Sequence, residues 1–412
     1  MGTQNRCLAC TASDLASVVS LRPTPPANDV TDSPEASRRQ ERYALDLVRC
    51  GHCGLIQLLD VVPRARLFAD YRYATGAAPG LVEHCRRLAG TVTDRLGLGA
   101  NATVLEVGSN DGTQLRFFAE RGMRVLGVDP ATELATAADR AGIPTLAAPF
   151  GKDIVDEVLD RAGPADLVLG SNVVAHVNDV GGVLFAVRQL LKPRGRAVIE
   201  VAYVVPMMRH GMFEFVYHEH LSYFSLHVIA RVAEANGLRL VDADLISTQG
   251  GSLRCWFARD SDPGEPSDRV ADILRAEAEA GERDGSLVDG FATRVERVCT
   301  TLRDVLGGLT ATGRRICGYG ASARAVTLLA QAGVADDIAF VVDDNRRKVG
   351  RYTPADGIPI VPVERLRAED VDYCVLFAWN FGDTIRARNT AFTVSGGAFI
   401  APFPNLTVLR DQ

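Results

Sequence analysis

Residues 104–112 have the sequence Val-Leu-Glu-Val-Gly-Ser-Asn-Asp-Gly, in which a short apolar strand runs into a glycine-containing turn. Gly108 and Gly112 let the backbone pass close to a ligand, and the start of the following helix offers free N–H groups. The spacing differs from the Gly-x-Gly-x-x-Gly of dinucleotide-binding loops. This strand, turn and helix predict the first unit of a doubly wound α/β sheet, which binds ligands at the carboxyl ends of its strands.

Strand and helix patterns alternate on both sides of this stretch, which indicates parallel βαβ units. The strands predicted for the first series are 103–107, 124–128, 167–171, 195–201 and 238–245, after an amphipathic helix at 81–97. Long helices are predicted within 266–310. The second series has predicted strands at 315–320, 338–343 and 373–377 and a helix at 323–332. The chain is therefore an α/β protein with two Rossmann-like units.

The N-terminal segment is rich in turn formers, lacks continuous hydrophobic periodicity, and contains the pairs Cys7-x-x-Cys10 and Cys50-x-x-Cys53. We expect it to be irregular and to need an external staple. Two such pairs supply the four thiolates of a tetrahedral zinc site, although a redox dithiol is the alternative. Because four thiols leave no position open for water, we expect the zinc to be structural and His52 to be solvated.

The composition of the 412-residue chain is that of a globular protein, with 47% hydrophobic and 23% charged residues. A formal net charge of −6 argues against general nucleic-acid binding. No signal-peptide pattern or long apolar segment is present, so we expect a cytoplasmic protein without a membrane partner. We expect domains at 1–70, 71–260 and 261–412, and a monomer or homodimer.

The pattern Glu-x-Gly-x-x-x-Gly that begins at Glu106 is similar to the cofactor loop of class I S-adenosylmethionine-dependent methyltransferases. Asp129 ends the second predicted strand, where a carboxylate can accept hydrogen bonds from both ribose hydroxyls. The third strand runs into residues 172–176, Asn-Val-Val-Ala-His, at the edge where ligand-binding residues gather. These features together favour S-adenosylmethionine as the cofactor.

Residues 213–225, Phe-Glu-Phe-Val-Tyr-His-Glu-His-Leu-Ser-Tyr-Phe-Ser, are the most unusual stretch of the chain. Within it Tyr217, His218, Glu219 and His220 are consecutive. Metal binding is one interpretation, but no third ligand stands in obvious register. General acid–base chemistry fits better, because imidazole titrates near neutral pH.

Over essentially its full length, the sequence resembles the sugar 3-C-methyltransferases of deoxysugar pathways. The resemblance rests on the cysteine pairs, the Glu106 loop, the 213–225 stretch, and the motifs Pro25-Pro-Ala-Asn28, Asp70-Tyr-Arg-Tyr73, Asn172-Val-Val-Ala-His-Val177, Gln249-Gly-Gly-Ser-Leu-Arg254, Gly318-Tyr-Gly-Ala-Ser-Ala323, Val342-Asp-Asp-Asn345 and Ala378-Trp-Asn-Phe381. The resemblance implies methyl transfer from S-adenosylmethionine to C3 of a TDP-linked 4-keto-6-deoxysugar, with or without a 2-hydroxyl group, through an enolate.

The same resemblance implies roles for individual residues. His220 would remove the C3 proton, with Tyr217, Glu219 and His176 around the sugar. The implied cofactor-binding residues are Tyr71, Tyr73, Glu106, Gly108, Asn110, Asp111, Gly112, Asp129 and Asn172. The implied substrate-binding residues are Tyr319, Ala321, Ser322, Arg324, Asp343, Asn345, Trp379 and Asn380. Arg324 stands where the family has lysine, and Ala325 stands where glycine is common.

The second Rossmann-like unit has its own phosphate-binding features. Residues 318–324 follow a strand and open a helix, so their N–H groups can hold phosphates, and Arg324 can add a bidentate contact. A nicotinamide cofactor is the alternative ligand, although the third glycine of its fingerprint is replaced. We therefore favour a diphosphate sugar. The competing functions are a bifunctional or purely reductive ketosugar enzyme that uses NADPH, and a ligand-binding sensor with a degenerate methyltransferase domain.

Overall fold

A computed structural model describes residues 2–3, 5–63, 66–67, 74–368 and 371–410. Tyr71 and Tyr73 therefore lie outside the described residues. The strands, in chain order, are β1 Gly2–Thr3, β2 Leu15–Thr24, β3 Tyr43–Cys50, β4 Ile56–Leu58, β5 Asp60–Val61, β6 Thr103–Val107, β7 Arg124–Asp129, β8 Thr145–Ala147, β9 Ala165–Ser171, β10 Leu191–Ala202, β11 Ser222–Tyr223, β12 Leu238–Ile246, β13 Ser252–Arg259, β14 Ile316–Tyr319, β15 Ile338–Asp343, β16 Ile360–Pro362, β17 Tyr373–Leu376, β18 Ala398–Ala401 and β19 Thr407–Leu409.

The α-helices connect these strands and cover the faces of the sheets. They are Pro34–Arg38, Pro79–Leu96, Thr113–Ala119, Thr132–Arg140, Val155–Ala162, Val180–Leu190, Val204–His210, Leu226–Ala235, Asp268–Glu279, Phe291–Ala311, Ala323–Ala332, Arg365–Ala368, Gly382–Arg388 and Thr390–Val394. Within the described part of the chain, no helix has both the length and the apolar character needed to span a membrane.

The N-terminal unit contributes three strands to a four-stranded antiparallel sheet in the order β11-β4-β3-β2, and the 213–225 stretch supplies β11. The expectation of an irregular segment was wrong here, because β2 is a ten-residue strand that pairs with β3. Strand β2 lies at the sheet edge and buries few of its side chains, so its sequence carries no clear alternation. Backbone pairing with β3, rather than local hydrophobic periodicity, gives this segment its structure.

The first Rossmann-like unit is a seven-stranded sheet in the order β12-β13-β10-β9-β6-β7-β8. Strands β8, β7, β6, β9 and β10 run parallel. Strands β6, β7, β9 and β10 were predicted, whereas the short β8 was not. The chain leaves β6 to one side and returns on the other at β9, so the topological switch point lies between these two strands. Strand β13 was not predicted, and it pairs antiparallel with both β10 and β12.

The second Rossmann-like unit is a six-stranded sheet in the order β16-β15-β14-β17-β18-β19, parallel except for β19. Its switch point lies between β14 and β17. The helix Ala323–Ala332 begins and ends where the sequence predicted. One cluster of buried side chains includes Leu45, Val107 and Ile316, so all three units share a core. The proposed domain limits at 70 and 260 stay a prediction.

Candidate active site and zinc centre

The four paired cysteines of the N-terminal unit form one cluster. Their Sγ atoms all lie within 4.8 Å of one another. The Sγ atoms of Cys7 and Cys53 are 3.5 Å apart, and those of Cys10 and Cys50 are 3.6 Å apart. Zn–S bonds of about 2.3 Å in a tetrahedron place sulfur atoms about 3.8 Å apart, so the residues fit a zinc ion.

Tight backbone turns hold each cysteine pair in place. The N–H of Thr11 donates to the carbonyl of Cys7, and the N–H of Gly54 donates to the carbonyl of Cys50. Gly54 has a φ of +84°, which a residue with a side chain rarely adopts. His52 is exposed, in keeping with a solvated side chain rather than a ligand. The zinc centre therefore anchors the turns that start β2 and end β3.

A cavity of about 400 Å³ lies between the two Rossmann-like sheets. On one side it is lined by the loops after β6 and β9, which flank the first switch point. On the other side it is lined by the loops after β14 and β17, which flank the second. Because ligands bind at switch points of open α/β sheets, one cavity joins two such ligand-binding edges.

The loop after β6 is held in an unusual conformation. Gly108 has a φ of +69°, and a Cβ atom there would lie 2.6 Å from Cγ2 of Val173. Asn110 also has a positive φ, and its backbone N–H donates to Oδ2 of Asp129 at 2.8 Å. The N–H of Ala131 donates to Oδ1 of the same carboxylate. Asp129 thus fixes the loop as well as lining the cavity.

Three buried polar atoms near this loop have no hydrogen-bond partner in the described part of the chain. They are Oε2 of Glu106, Oγ of Ser109 and Nε2 of Gln114, and all three residues line the cavity. Burial raises the pKa of Glu106 well above its usual value, and the charge of Asp129 adds to the effect. A ligand with hydroxyl, ammonium and carboxylate groups satisfies such donors and acceptors. The residues present therefore fit S-adenosylmethionine.

The segment before helix Pro79–Leu96 covers this half of the cavity. The side chain of Asn110 accepts a hydrogen bond from the N–H of Thr75, and that of Asp111 accepts one from Gly76, both at 2.8 Å. Further along, His84 lines the cavity and bonds the buried carboxylate of Glu200 at 2.7 Å. The cofactor loop is therefore tied to its cover by side-chain contacts.

Not all predicted binding residues line the cavity. Those of the cofactor set that do are Glu106, Gly108, Asn110, Asp129 and Asn172, whereas Asp111 and Gly112 do not. Those of the substrate set that do are Tyr319, Ser322, Arg324, Asp343, Asn345 and Asn380, whereas Ala321 and Trp379 do not. All four predicted catalytic residues, His176, Tyr217, Glu219 and His220, line it.

His220 lies where the two halves of the cavity meet. Its Nδ1 is 3.1 Å from the carbonyl oxygen of Phe215, which can only accept, so Nδ1 carries the proton. Its Nε2 then accepts the hydroxyl proton of Tyr217 at 2.7 Å. The ring of His176 packs edge-on at 4.9 Å. Burial lowers the pKa of His220 well below its usual value, helped by His176 and Arg324. His220 is therefore a neutral imidazole with an acceptor nitrogen.

His218 faces away from the cavity. Its Nε2 is 3.2 Å from the carbonyl oxygen of Tyr43 in β3, and its ring packs edge-on against that tyrosine. Burial lowers the pKa of His218 to about 4. The 213–225 stretch turns sharply at this point, so His218 packs against the N-terminal unit while His220 lines the cavity.

Glu219 is the acidic member of this group. Its Oε1 accepts a 2.7 Å hydrogen bond from Nδ2 of Asn28, which belongs to the N-terminal unit. Burial raises the pKa of Glu219 to about 7, although that hydrogen bond and the charge of Lys348 oppose the rise. Both protonation states are therefore accessible near neutral pH.

In the second Rossmann-like unit, a carboxylate at the end of a strand again accepts a hydrogen bond from the neighbouring loop, as Asp129 does in the first. Oδ2 of Asp343, at the end of β15, accepts the N–H of Ala321 in the loop after β14 at 2.7 Å. The adjacent Asp344 accepts the hydroxyl of Tyr319 and an N–H of Arg388. This end of the cavity therefore has carboxylates for hydroxyl groups and a helix N-terminus for anions.

Arg324 joins the two units. Its guanidinium stacks 4.0 Å from the ring centre of Phe215, and its Nη1 donates to Oδ1 of Asn380 at 3.1 Å. Its Nη2 donates to Oε1 of Gln249, in the short turn Thr248–Gly250 of the first unit. The guanidinium thus bridges the walls of the cavity.

Sequence reasoning missed several cavity residues. The structure adds Asn28, His84, Gln249, Lys348 and Arg388 to the lining. A signal existed for two of them: Asn28 and Gln249 lie in motifs that carry the family resemblance. His84, Lys348 and Arg388 reach the cavity only through the packing of the units.

Three family models match successive parts of the chain. They describe a zinc binding domain over residues 7–68, a methyltransferase domain over residues 81–243, and a C-methyltransferase C-terminal domain over residues 247–404. With the cysteine cluster, they confirm the predicted fold class and both predicted cofactors, zinc and S-adenosylmethionine.

Individual relatives differ in how much of the chain they match. The C-methyltransferase NovU of Streptomyces niveus is 35% identical over 409 residues, which are 99% of this chain and 97% of that protein. A ubiquinone biosynthesis O-methyltransferase of Rhodopseudomonas palustris strain TIE-1 is 35% identical over 97 residues, 23% of this chain and 38% of that protein. Among solved structures, the 1,6-didemethyltoxoflavin-N1-methyltransferase of Burkholderia thailandensis covers 50% of this chain and 95% of that chain, with 23% identity and a TM-score of 0.36.

Proposed function

The chain belongs to the C-methyltransferase family, and on this basis we propose that it methylates C3 of a TDP-linked 4-keto-6-deoxysugar. The observation that carries the proposal is the position of His220. This neutral imidazole lies in a cavity that joins the cofactor loop of one Rossmann-like unit to the anion-binding loop of the other. A nucleotide sugar that spans the cavity brings its ketosugar between the methyl donor and this imidazole.

The first step is removal of a proton next to the ketone. A keto group at C4 acidifies the proton on C3, because the resulting charge is shared with the oxygen. Nε2 of His220 accepts from Tyr217, so the proton reaches the imidazole either directly or through the tyrosine hydroxyl. The carbonyl of Phe215 holds Nδ1–H and thereby orients the ring.

The second requirement is stabilisation of the enolate oxygen. Donors aimed at a developing oxyanion in a water-poor site contribute about 3–4 kcal/mol each. Glu219, whose pKa is raised to about 7, supplies an O–H donor when it is protonated, and His176 lines the same cavity, where its ring packs against His220. We assign these two side chains to the oxygen and to neighbouring groups of the sugar.

The third requirement is alignment with the methyl donor. The cofactor loop would hold S-adenosylmethionine, which would supply an electrophilic methyl group to the enolate carbon, with the S–C bond breaking as the C–C bond forms. The chain contributes positioning: Asp129 and the Gly108 turn fix the cofactor loop, and Asn110 ties that loop to its cover. Holding two reactants in line in this way replaces much of the entropy cost of their encounter.

The proposal is tested by supplying TDP-4-keto-6-deoxysugars with S-adenosylmethionine and following the product mass. A gain of one methylene group supports it, and NMR must place the new methyl on C3. The ketone has a second neighbouring carbon, C5, and methylation there would overturn the regiochemistry while leaving the enzyme class intact. NADPH consumption without methylation would favour a reductive enzyme, and binding without turnover would favour a sensor.

A further inference from the structure

We infer that the ammonium group of Lys348 neutralises the diphosphate of the substrate, an inference that rests on the nucleotide sugar proposed above. Lys348 follows β15, lines the cavity, and is only 6% exposed. The chain has three lysines among its 45 Lys and Arg residues, and the other two sit elsewhere. Lys192 pairs with Asp166, and Lys152 stacks on Phe185.

Among the described residues, the hydrogen-bond partners of the ammonium group are neutral. Nζ of Lys348 donates to the backbone oxygen of Ala321 at 2.8 Å and contacts Oδ1 of Asn28 at 3.5 Å. The charge of Lys348 acts on Glu219 and lowers the pKa of its carboxyl group. Because that pKa is still about 7, Glu219 is only partly ionised at neutral pH and neutralises the ammonium group incompletely. A buried cation without a full counter-charge is unfavourable, because it has lost its hydration without a compensating ion pair. An anionic ligand in the cavity removes that cost.

The position of the ammonium group suits a phosphate. Its partner Ala321 lies in the loop that opens helix Ala323–Ala332, whose N-terminus carries partial positive charge. Oγ of Ser322, in the same loop, is buried without a partner in the described part of the chain. An ammonium, a free hydroxyl and a helix N-terminus therefore meet at one place in the cavity wall.

Arg324, which the sequence analysis assigned to the diphosphate, contacts other residues of the protein. Arg324 bridges Gln249 and Asn380 and stacks on Phe215, so its guanidinium holds the two units together. Lys348 supplies the positive charge from the neighbouring loop.

The inference is tested by calorimetric binding of TDP, TMP and thymidine to the full-length protein. We expect the wild type to bind TDP more tightly than thymidine. Lys348→Met should weaken TDP binding by about 10–100-fold, because a charge-assisted hydrogen bond is lost. Its affinities for thymidine and S-adenosylmethionine should stay within about twofold. Lys192→Met, the matched control, should leave all four affinities unchanged.

The outcomes separate the role of Lys348 from the nucleotide-diphosphate substrate on which that role rests. A wild type that does not prefer TDP to thymidine would overturn the nucleotide-diphosphate substrate itself. A Lys348→Met protein that keeps the wild-type preference would overturn only the role of Lys348. If that variant also loses S-adenosylmethionine and so is misfolded, the wild type is labelled with pyridoxal phosphate and borohydride. TDP, but not thymidine, should then protect Lys348, and equal labelling in both samples would overturn the role.

Discussion

Nδ2 of Asn28 donates a 2.7 Å hydrogen bond to Oε1 of Glu219, so a residue of the zinc-binding unit holds a carboxyl group of the catalytic cavity. The same amide contacts Lys348 through its oxygen. All three units of the chain therefore meet at one side chain. The zinc centre anchors the strands of the unit that presents Asn28, so the structural metal supports the catalytic cavity indirectly, through the fold of this unit.

The first prediction separates the effect of losing the zinc ion from the effect of losing the hydrogen bond between Asn28 and Glu219. Cys50→Ser should remove bound zinc, lower the free energy of unfolding, and reduce activity in step with the loss of folded protein. Elemental analysis of the wild type should give one zinc per chain. Asn28→Ala should keep the zinc and the melting temperature, yet lower kcat/KM by about 5–30-fold, the effect of one hydrogen bond to a charged group. Full activity in Asn28→Ala would show that the contact with Glu219 is dispensable.

The second prediction concerns the turn that decides the fold. Gly108 and Gly142 both have positive φ, but a Cβ on Gly108 would lie 2.6 Å from Val173, whereas one on Gly142 meets nothing within 4 Å. Gly142→Ala should cost about 1–2 kcal/mol of unfolding free energy from backbone strain alone. Gly108→Ala should cost about 1–3 kcal/mol more, because of overpacking. Urea titrations of both variants measure the difference.

A double-mutant cycle checks the cause. Adding Val173→Ala to Gly108→Ala should recover part of the stability relative to the sum of the two single changes, because the closest contact, with Cγ2, is removed while the contact with Cβ at 2.9 Å remains. Strict additivity would mean that the excess cost of Gly108→Ala does not come from Val173.

The third prediction concerns Asp129. Asp129→Ala should weaken S-adenosylmethionine binding by about 2–4 kcal/mol, because two hydrogen bonds to a charged acceptor are lost. The structure adds a second cause, since this carboxylate also holds the N–H groups of Asn110 and Ala131. TDP binding, measured on the same sample by calorimetry, should be unchanged because it involves the other sheet. An unchanged affinity for the cofactor would rule out the assigned role.

The fourth prediction concerns pH and His218. Its folded pKa is about 4, below the usual value near 6.5, so the folded state resists protonation. Its contribution to stability is therefore complete above about pH 6.5 and is lost as the pH falls towards 4. The raised pKa values of Glu214, Glu219 and Glu277, each about 7, act in the opposite direction over the same range. The wild-type profile alone thus mixes both effects.

The variant His218→Gln isolates the histidine, because its amide nitrogen can still reach the carbonyl of Tyr43. Between pH 7.5 and 4.5, the unfolding free energy of the wild type should fall by about 2–3 kcal/mol relative to His218→Gln. Urea titrations at the two pH values give this difference. Parallel profiles would mean that His218 is not buried in its neutral form.

The sequence was most informative where function is local in the chain. The cofactor turn, the helix Ala323–Ala332 and the cysteine pairs each carry their geometry within a few residues, and each was predicted correctly. The residue pattern by itself did not distinguish His218 from His220, and only the family resemblance favoured His220, because two imidazoles two residues apart lie on one face of a strand but diverge in a turn. Only the folded turn sends one to Tyr43 and the other to the cavity.

Non-local features escaped prediction for a related reason. Strand β2 exists through pairing with β3, and β13 through pairing with β10 and β12, which local periodicity does not encode. Lys348 acquires its environment from Ala321 and Asn28, which are 27 and 320 residues away in the sequence. A single lysine in a polar loop gives no sign of being buried.

The last prediction concerns the base. His220→Asn should abolish both methylation and solvent deuterium exchange at C3, while both ligands still bind. The asparagine amide can keep the hydrogen bond to the carbonyl of Phe215, so the loop should hold its shape. His218→Gln is the matched control and should retain exchange, because His218 does not line the cavity. A general base contributes about 10²–10⁴-fold, so a loss below tenfold is too small for the role.

Tyr217→Phe tells whether the proton passes through the tyrosine, whose hydroxyl lies 2.7 Å from Nε2 of His220. If the hydroxyl relays the proton, this variant should lose exchange as completely as His220→Asn. If the hydroxyl only donates a hydrogen bond to the imidazole until the substrate displaces it, the exchange rate should fall by less than about tenfold, because only one hydrogen bond is lost. Exchange is measured by NMR with S-adenosylhomocysteine in place of the methyl donor, so that proton removal is seen without methylation. A His220→Asn enzyme that exchanges the C3 proton at a near wild-type rate would remove His220 from the mechanism, and a simultaneous loss in Tyr217→Phe would make the tyrosine itself the base.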